Sequence, residues 1–306
     1  MSAPDAAFTP SADPYPEAMP VSRASGRPPT SHPYLDGPYP RAYAHRGWHL
    51  DELAGLENTA VAFHRAVDEG FAYLELDVHT TADGVAMVHH DRTLDRTTDA
   101  TGPLAARTAA ELDAVRVRGA HRSEPIPHLR DVLAALPATR VTVELKSSAA
   151  VRPVLAVLAE LDAWDRVCLA GYHDPWLRVA RRLARAHGAP LFTSMGHTAV
   201  VGLRMQGWTR RETARPGGRR RPPRVRTGRL ASVRGDLAQL PHRFAGVTVV
   251  DADVLRVSHE SGREVHVWTV DDPAVMGGLL DRGADGILTD RPDLLRDLLR
   301  TRGTWP

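Results

Sequence analysis

The sequence predicts an α/β fold, a (β/α)8 TIM barrel. Strand-like apolar runs and helix-like runs alternate about eight times, which is the pattern of parallel β/α structure. The alternation occupies roughly 260 residues, a usual barrel length. The competing doubly wound sheet places a GxGxxG turn after its first strand, and this sequence has none. In a barrel the C-terminal ends of the strands build the active site. Charged residues gather at those ends here.

Bulk properties bound the function class. The 306 residues are 42% hydrophobic and 25% charged, an ordinary globular composition. A formal net charge of +2 gives no broad basic field, so no nucleic-acid partner is expected. The single cysteine, Cys168, excludes an internal disulfide and a cysteine zinc site. Its neighbours Val167 and Leu169 make it a buried strand residue. No apolar run reaches the ~18 residues of a membrane span. The N-terminus lacks a basic cluster followed by an apolar stretch, so no export signal is expected, and the cytoplasm is the default compartment. The oligomeric state stays open.

Residues 1–40 are rich in Pro, Ser, Ala and Gly without hydrophobic periodicity, and predict a disordered arm. The barrel is expected over 41–300. A first strand at 41–45 ends in His45-Arg46-Gly47. Arg46 offers a fork for phosphate, and Gly47 lets the backbone approach a ligand. Glu57-Asn58-Thr59 opens a helix closed by Gly70, with Asn58 as its cap.

The stretch 71–91, FAYLELDVHTTADGVAMVHHD, organises the chain. Ala72, Leu74, Leu76 and Val78 form its apolar face, and Phe71, Tyr73, Glu75 and Asp77 the other. Glu75 and Asp77 point the same way, and their repulsion calls for an offset, most simply a hard divalent cation. A pair of solvated strand-end acids is the plain alternative. The chain turns at Ala82-Asp83-Gly84, runs through a short strand at 85–88 and reaches His89-His90-Asp91. A histidine beside an acid, close to a carboxylate pair, suggests acid–base chemistry next to a metal. His89 and His90 point to opposite sides of the strand, so only one faces the site.

Residues 92–124 are too long for an ordinary connection and predict an insertion, with a helix at 104–115. A helix at 129–136 follows. The strand at 141–146 again ends in two charges on one face, Glu144 and Lys146. Further strands are expected at 166–170, 190–193, 237–240, 265–270 and 286–288, with a run at 247–250 and helices between. Residues 204–234 are arginine-rich and predict a solvated, mobile loop. It connects helix to strand, which places it on the face away from the active site. A transient contact with anionic membranes is the other reading of its arginines, and that placement speaks against it.

These residues carry a resemblance. AHRG at 44–47, ENT at 57–59, ELDV at 75–78, DG then VHHD at 88–91, RTT at 96–98, VELK at 143–146, VWTVDD at 267–272 and DGILTDRP at 285–292 resemble the glycerophosphodiester phosphodiesterase family, in the same order from about Tyr43 to Leu299. The resemblance implies a TIM barrel with a small insertion after the second strand. It implies one divalent cation, Mg2+ or Ca2+, on Glu75, Asp77 and Glu144, with His45 and His90 as the acid–base pair. It also implies phosphate contacts from Arg46 and Lys146, and Glu57 in support of the metal or glycerol site. The sequence departs from the family at Gly55-Leu56, often proline there, and at Asp271, often asparagine. Trp268 is read as an apolar wall for glycerol or as a barrel filler. His49, His64, His79 and His121 are assigned to surface or packing.

The resulting expectation is a metal-dependent hydrolase that cleaves small glycerophosphodiesters to sn-glycerol 3-phosphate and an alcohol, in lipid metabolism. A lysophospholipase D-type enzyme shares every one of these residues. A non-catalytic barrel that binds phosphate or headgroups would be expected to lack a histidine or a metal carboxylate, and none is missing.

Overall fold

Eight parallel strands curl into one sheet around a filled interior. The computed structural model describes residues 31–213 and 234–306, with side chains at 31–206 and 234–306. The strands are β1 (Arg41–His45), β2 (Tyr73–Thr80), β3 (Ala86–Val88), β4 (Arg116–Arg118), β5 (Ser123–Pro125), β6 (Arg140–Leu145), β7 (Val167–Ala170), β8 (Phe192–Thr193), β9 (Ala238–Pro241), β10 (Arg243–Phe244), β11 (Val247–Thr248), β12 (Val265–Trp268) and β13 (Gly286–Thr289). The helices are α1 (Ala60–Asp68), α2 (Ala109–Leu112), α3 (Leu129–Ala135), α4 (Val151–Glu160), α5 (Asp174–Ala186), α6 (His197–Thr213), α7 (Ala252–Glu260), α8 (Pro273–Asp281) and α9 (Pro292–Thr301).

The sheet order is β8-β7-β6-β2-β1-β13-β12-β9. A parallel bridge between Ser194 and Leu237 joins its two ends, with Met195 N–H donating to Leu237 O at 3.0 Å. The (β/α)8 barrel is therefore closed. Alternation along each strand sorts the core in two. Outward Leu74, Leu76, Val78, Val141 and Val143 pack in the cluster that contains the helix residues. Inward Tyr43, Tyr73, Cys168, Phe192 and Leu288 form a separate inner cluster. Among the described residues, no helix is long and apolar enough to cross a membrane.

Several expectations need correction. The predicted arm is ordered from within: Pro33–Leu35 form a 3-10 helix and Tyr34 is fully buried. The Tyr34 hydroxyl lies 3.0 Å from that of Tyr43 and 2.8 Å from Thr142 Oγ1, so these residues fill the barrel floor. A lone Tyr-Leu pair in a proline-rich stretch carries no periodicity, which is why the sequence hides it. Residues 1–30 lie outside the described part.

The predicted helix at 104–115 is broken. A 3-10 turn spans Leu104–Ala106, Arg107 is extended, and Thr108 starts α2 with a capping box to Glu111. The insertion forms its own apolar cluster, including Leu94, Leu104, Leu112 and Val117, against Leu56 and Met87. Residues 247–250 do not make a barrel strand. β10 and β11 form a small hairpin turned by Ala245 and Gly246, both at positive φ, as a tight hairpin turn requires.

The arginine-rich region also begins differently. Residues 204–213 continue α6, which puts Arg204 and Met205 on the wall of the cavity that contains His45. This part of the expected loop is thus on the catalytic side, because α6 follows the fifth barrel strand and starts at its C-terminal end. Residues 214–233 lie outside the described part.

Candidate active site

β2 and β6 pair in parallel so that Asp77 and Glu144 are register partners, two residues beyond Glu75 and Thr142. This brings Glu75, Asp77 and Glu144 together: one carboxylate oxygen from each lies within 4.8 Å of the others. Glu75 and Asp77 are buried. Glu75 Oε2 is buried with no hydrogen-bond partner; its nearest cationic neighbour is His45 Nε2 at 3.6 Å. Burial, then the facing Asp77, push the Glu75 carboxyl up to about 8. Asp77 moves the other way, because Lys146 and Arg46 outweigh its burial. Lys146 Nζ sits 2.8 Å from Asp77 Oδ1 and 3.1 Å from Glu144 Oε2. Three converging carboxylates, one with an unsatisfied buried oxygen, form a hard donor set that fits Mg2+ or Ca2+.

Arg46 and Asn58 reach this cluster through unusual backbone. Both are left-handed, at φ 58° and 59°, a conformation that costs energy for residues other than glycine. Arg46 N–H donates to Glu75 O at 3.0 Å and Asn58 N–H to Arg46 O at 2.9 Å. The Arg46 side chain then meets Asp77 (3.3 Å) and Glu57 (2.9 Å). Asn58 does not cap α1; Thr59 does. Instead, Asn58 Nδ2 donates to Asp77 Oδ2 at 2.8 Å. At Gly47 a Cβ would lie 2.8 Å from the Ala62 backbone, so glycine there lets the chain cross α1.

His45 stands at the end of β1 beside Glu75. Its Nδ1 contacts Asp290 Oδ1 at 2.6 Å, which leaves Nε2 toward the carboxylates. Burial alone would lower its pKa, but Glu75 and Asp290 outweigh burial and raise it to about 9. His49, assigned to packing from sequence, also touches Asp290, at 3.3 Å. Asp290 is fixed in turn: its N–H donates to Asp271 Oδ1, which also accepts from Thr289 Oγ1, both at 2.8 Å.

β3 folds back antiparallel on β2, and His89 N–H donates to Asp77 O at 2.9 Å. His90 therefore faces the cavity, while His89 is buried beside Thr93 O at 3.2 Å. His90 Nδ1 lies 2.6 Å from Asp91 Oδ1. Arg96, from the insertion, joins Asp91 (2.6 Å) to Glu57 (2.8 Å). Glu57 is held by Arg46 and Arg96 and is not among the residues that line the cavity, so it stands behind Arg46.

The cavity measures about 460 Å³. His45, Arg46, Glu75, His90, Glu144 and Lys146 line one side. Trp268, 40% exposed, lines it too, so it is a wall and not a filler. Sequence reasoning assigns no role to Asp290 or Arg96 and only a helix cap to Asn58, although each stands in a quoted motif. Asn58 lies 19 residues from Asp77, Arg96 39 from Glu57 and Asp290 245 from His45, beyond the reach of local patterns.

Residues 45–294 match the model of the Glycerophosphoryl diester phosphodiesterase family. The chain is similar to a probable glycerophosphodiester phosphodiesterase 2 from Mycobacterium tuberculosis, 39% identical over 266 residues, covering 86% of this chain and 92% of the relative. Its fold is similar to a putative glycerophosphoryl diester phosphodiesterase from Silicibacter pomeroyi (TM-score 0.69, 23% identity, 90% of this chain and 100% of the other). It is similar as well to an Oleispira antarctica phosphodiesterase in complex with the product sn-glycerol-3-phosphate (TM-score 0.66, 20% identity, 86% and 97% covered). On the strength of the family match and the Mycobacterium relative, this chain belongs to the glycerophosphoryl diester phosphodiesterase family.

Proposed function

We propose that the protein is a metal-dependent hydrolase that cleaves glycerophosphodiesters to sn-glycerol 3-phosphate and an alcohol, in the turnover of glycerophospholipids. The observation that carries this reading is the convergence of Glu75, Asp77 and Glu144 within 4.8 Å in a cavity whose lining includes His45, His90, Arg46 and Lys146. A hard divalent cation, Mg2+ or Ca2+, held by the three carboxylates would neutralise phosphoryl charge and favour ionisation of the attacking hydroxyl.

The chain's own residues do the rest. Arg46 and Lys146 donate to the phosphoryl oxygens and stabilise the charge that builds there. His90, with Nδ1 held by Asp91, presents Nε2 as the base that takes the attacking hydroxyl's proton. His45, with Nδ1 held by Asp290 at 2.6 Å, presents Nε2 as the acid that delivers a proton to the leaving alkoxide. Trp268 packs against the glycerol. A non-catalytic headgroup-binding barrel has no use for two histidines each oriented by its own aspartate.

Choline release from glycerophosphocholine tests the reading. Wild-type protein with Mg2+ or Ca2+ is expected to release it, and His90→Ala to release it far more slowly. Equal release by the two would remove His90 from the reaction.

A further inference from the structure

Just outside the cavity, one guanidinium gathers two arms of the charged side. Arg96 comes from the insertion, and neither it nor its partners Asp91 and Glu57 are among the lining residues. Its fork reaches all four oxygens of the two carboxylates. Nε and Nη2 donate to Asp91, at 2.6 Å to Oδ2 and 3.1 Å to Oδ1. Nη1 and Nη2 donate to Glu57, at 2.9 Å to Oε2 and 2.8 Å to Oε1. Nη2 therefore lies between two particular oxygens. One is Asp91 Oδ1, which meets His90 Nδ1 at 2.6 Å. The other is Glu57 Oε1, which accepts from Arg46 Nη1 at 2.9 Å. The insertion fixes where this fork stands. Leu94 is buried in the insertion's apolar cluster, Thr98 Oγ1 donates to Leu94 O at 2.7 Å, and Arg118 N–H donates to Thr97 O at 2.7 Å.

We infer that Arg96 is a positioning residue that fixes the side chains of His90 and Arg46 relative to each other, so that the insertion holds the base and a phosphate donor as one unit. The inference rests on the hydrolase reading above and adds a residue to it. β2 ties the two backbones together, through Arg46 N–H to Glu75 O and His89 N–H to Asp77 O. The bridge Asp91–Arg96–Glu57 sets the side chains. Two facing carboxylates repel unless a cation stands between them. Arg96 is the largest influence on Asp91 and holds its carboxyl below the usual range. Burial would raise Glu57, but Arg96 and Arg46 outweigh it. The Arg96 side chain is 48% exposed, and exposed ion pairs contribute little to stability, so two full forks there serve orientation more than folding. An ammonium is a point charge and cannot reproduce that planar double fork.

The test is two double-mutant cycles read as kcat and KM on glycerophosphocholine. Arg96→Ala should lower kcat roughly 10–100-fold, the usual cost of losing a group that orients a reacting one, and raise KM several-fold. Arg96→Lys should lose nearly as much, and it carries the same cycles if Arg96→Ala does not fold. In an Asp91→Ala background the Arg96 change should cost less than about twofold more in kcat, because the arm it acts through is already gone. In a Glu57→Ala background it should cost less than about twofold more in KM, for the same reason. Guanidinium ion at millimolar concentration should restore Arg96→Ala several-fold, since the site is open to solvent. It should leave the wild type unchanged, and also Arg107→Ala, at another arginine of the insertion. Near-normal kcat and KM in Arg96→Ala, beside brisk wild-type turnover, would overturn this inference alone. Equal losses with and without Asp91 and Glu57 would overturn it too, and make Arg96 a support of the fold. No turnover of any diester by the wild type would defeat the hydrolase reading and this inference together.

Discussion

The two sides of the barrel mouth differ sharply. On β13, β1, β2 and β6 the strand ends carry Asp290, His45, Arg46, Glu75, Asp77, Glu144 and Lys146. On β7, β8, β9 and β12 they carry Ala170-Gly171-Tyr172, Ser194-Met195, Pro241 and Trp268. The first side is dense with ion pairs and contains two residues held at positive φ, Arg46 and Asn58. The second is apolar and open. A single ring of strands thus separates the side that handles charge from the side that contributes shape. Reaction chemistry is expected to depend on the first and substrate preference on the second.

The largest expected effect is on the charged side. His45→Ala and His90→Ala should each lower kcat on a glycerophosphodiester by roughly 10²–10⁴-fold, the usual worth of a positioned acid or base. Stopped assays at matched pH would measure it. Near-normal turnover in either variant would mean that the charged side does not work as described.

A smaller loss is expected from Asp290→Asn. Asp290 is a positioning residue: it holds His45 Nδ1 at 2.6 Å and would keep Nε2 protonated toward the substrate. Its side chain is 39% exposed, so the loss should be about 10²-fold, short of the ~10⁴-fold seen for a buried triad aspartate. The kcat–pH profile should shift along with it. A change in thermal stability without a change in that profile would reduce Asp290 to a structural part.

Ion pairs at the barrel floor should behave in the opposite way. Arg41 and Glu264 meet at 3.0 Å, both buried, and Glu264 Oε2 also lies 3.0 Å from His266 Nε2. Burial opposes the charge on Glu264, but His266 and Arg41 outweigh it and lower its pKa from 4.5 to about 2. A lowered acid pKa stabilises the fold fully above the unfolded value. That stability is lost as pH falls from about 4.5 towards 2. The contribution is at most about 3 kcal/mol at neutral pH. Glu264→Gln should therefore lower the melting temperature at pH 7, lower it less near pH 3, and leave kcat nearly unchanged. An equal deficit at both pH values would contradict this.

Much of this was legible in the sequence because strands alternate. Eight strand–helix units and the two i, i+2 charge pairs, Glu75/Asp77 and Glu144/Lys146, followed from period-2 patterning alone. Which of His89 and His90 faces the cavity needed the β2–β3 pairing. Tyr34 was hidden because a floor plug obeys no periodicity. The apolar side stayed unread because Val200, Val201 and Met205 look like ordinary helix core until the helix is placed over the barrel mouth. Asp290 sits 245 residues from His45, and only closure of the barrel joins them.

The smallest effect belongs to the apolar side. Phe244→Ala, at a position 56% exposed, should change stability by no more than about 0.5 kcal/mol, whereas Leu74→Ala beneath the helices should cost about 2–5 kcal/mol. Urea melts of the two variants would show it. A large loss for Phe244→Ala would mean that the hairpin supports the fold instead of lining a site.

The most direct test of the charged side as a metal-dependent reaction centre follows glycerophosphocholine by phosphorus NMR, with protein first stripped by chelator and then supplied with Mg2+ or Ca2+. The expected result is no conversion by stripped protein, conversion to sn-glycerol 3-phosphate on resupply, and no recovery in Glu75→Gln. Conversion that continues unchanged in excess chelator, or full recovery in Glu75→Gln, would contradict it.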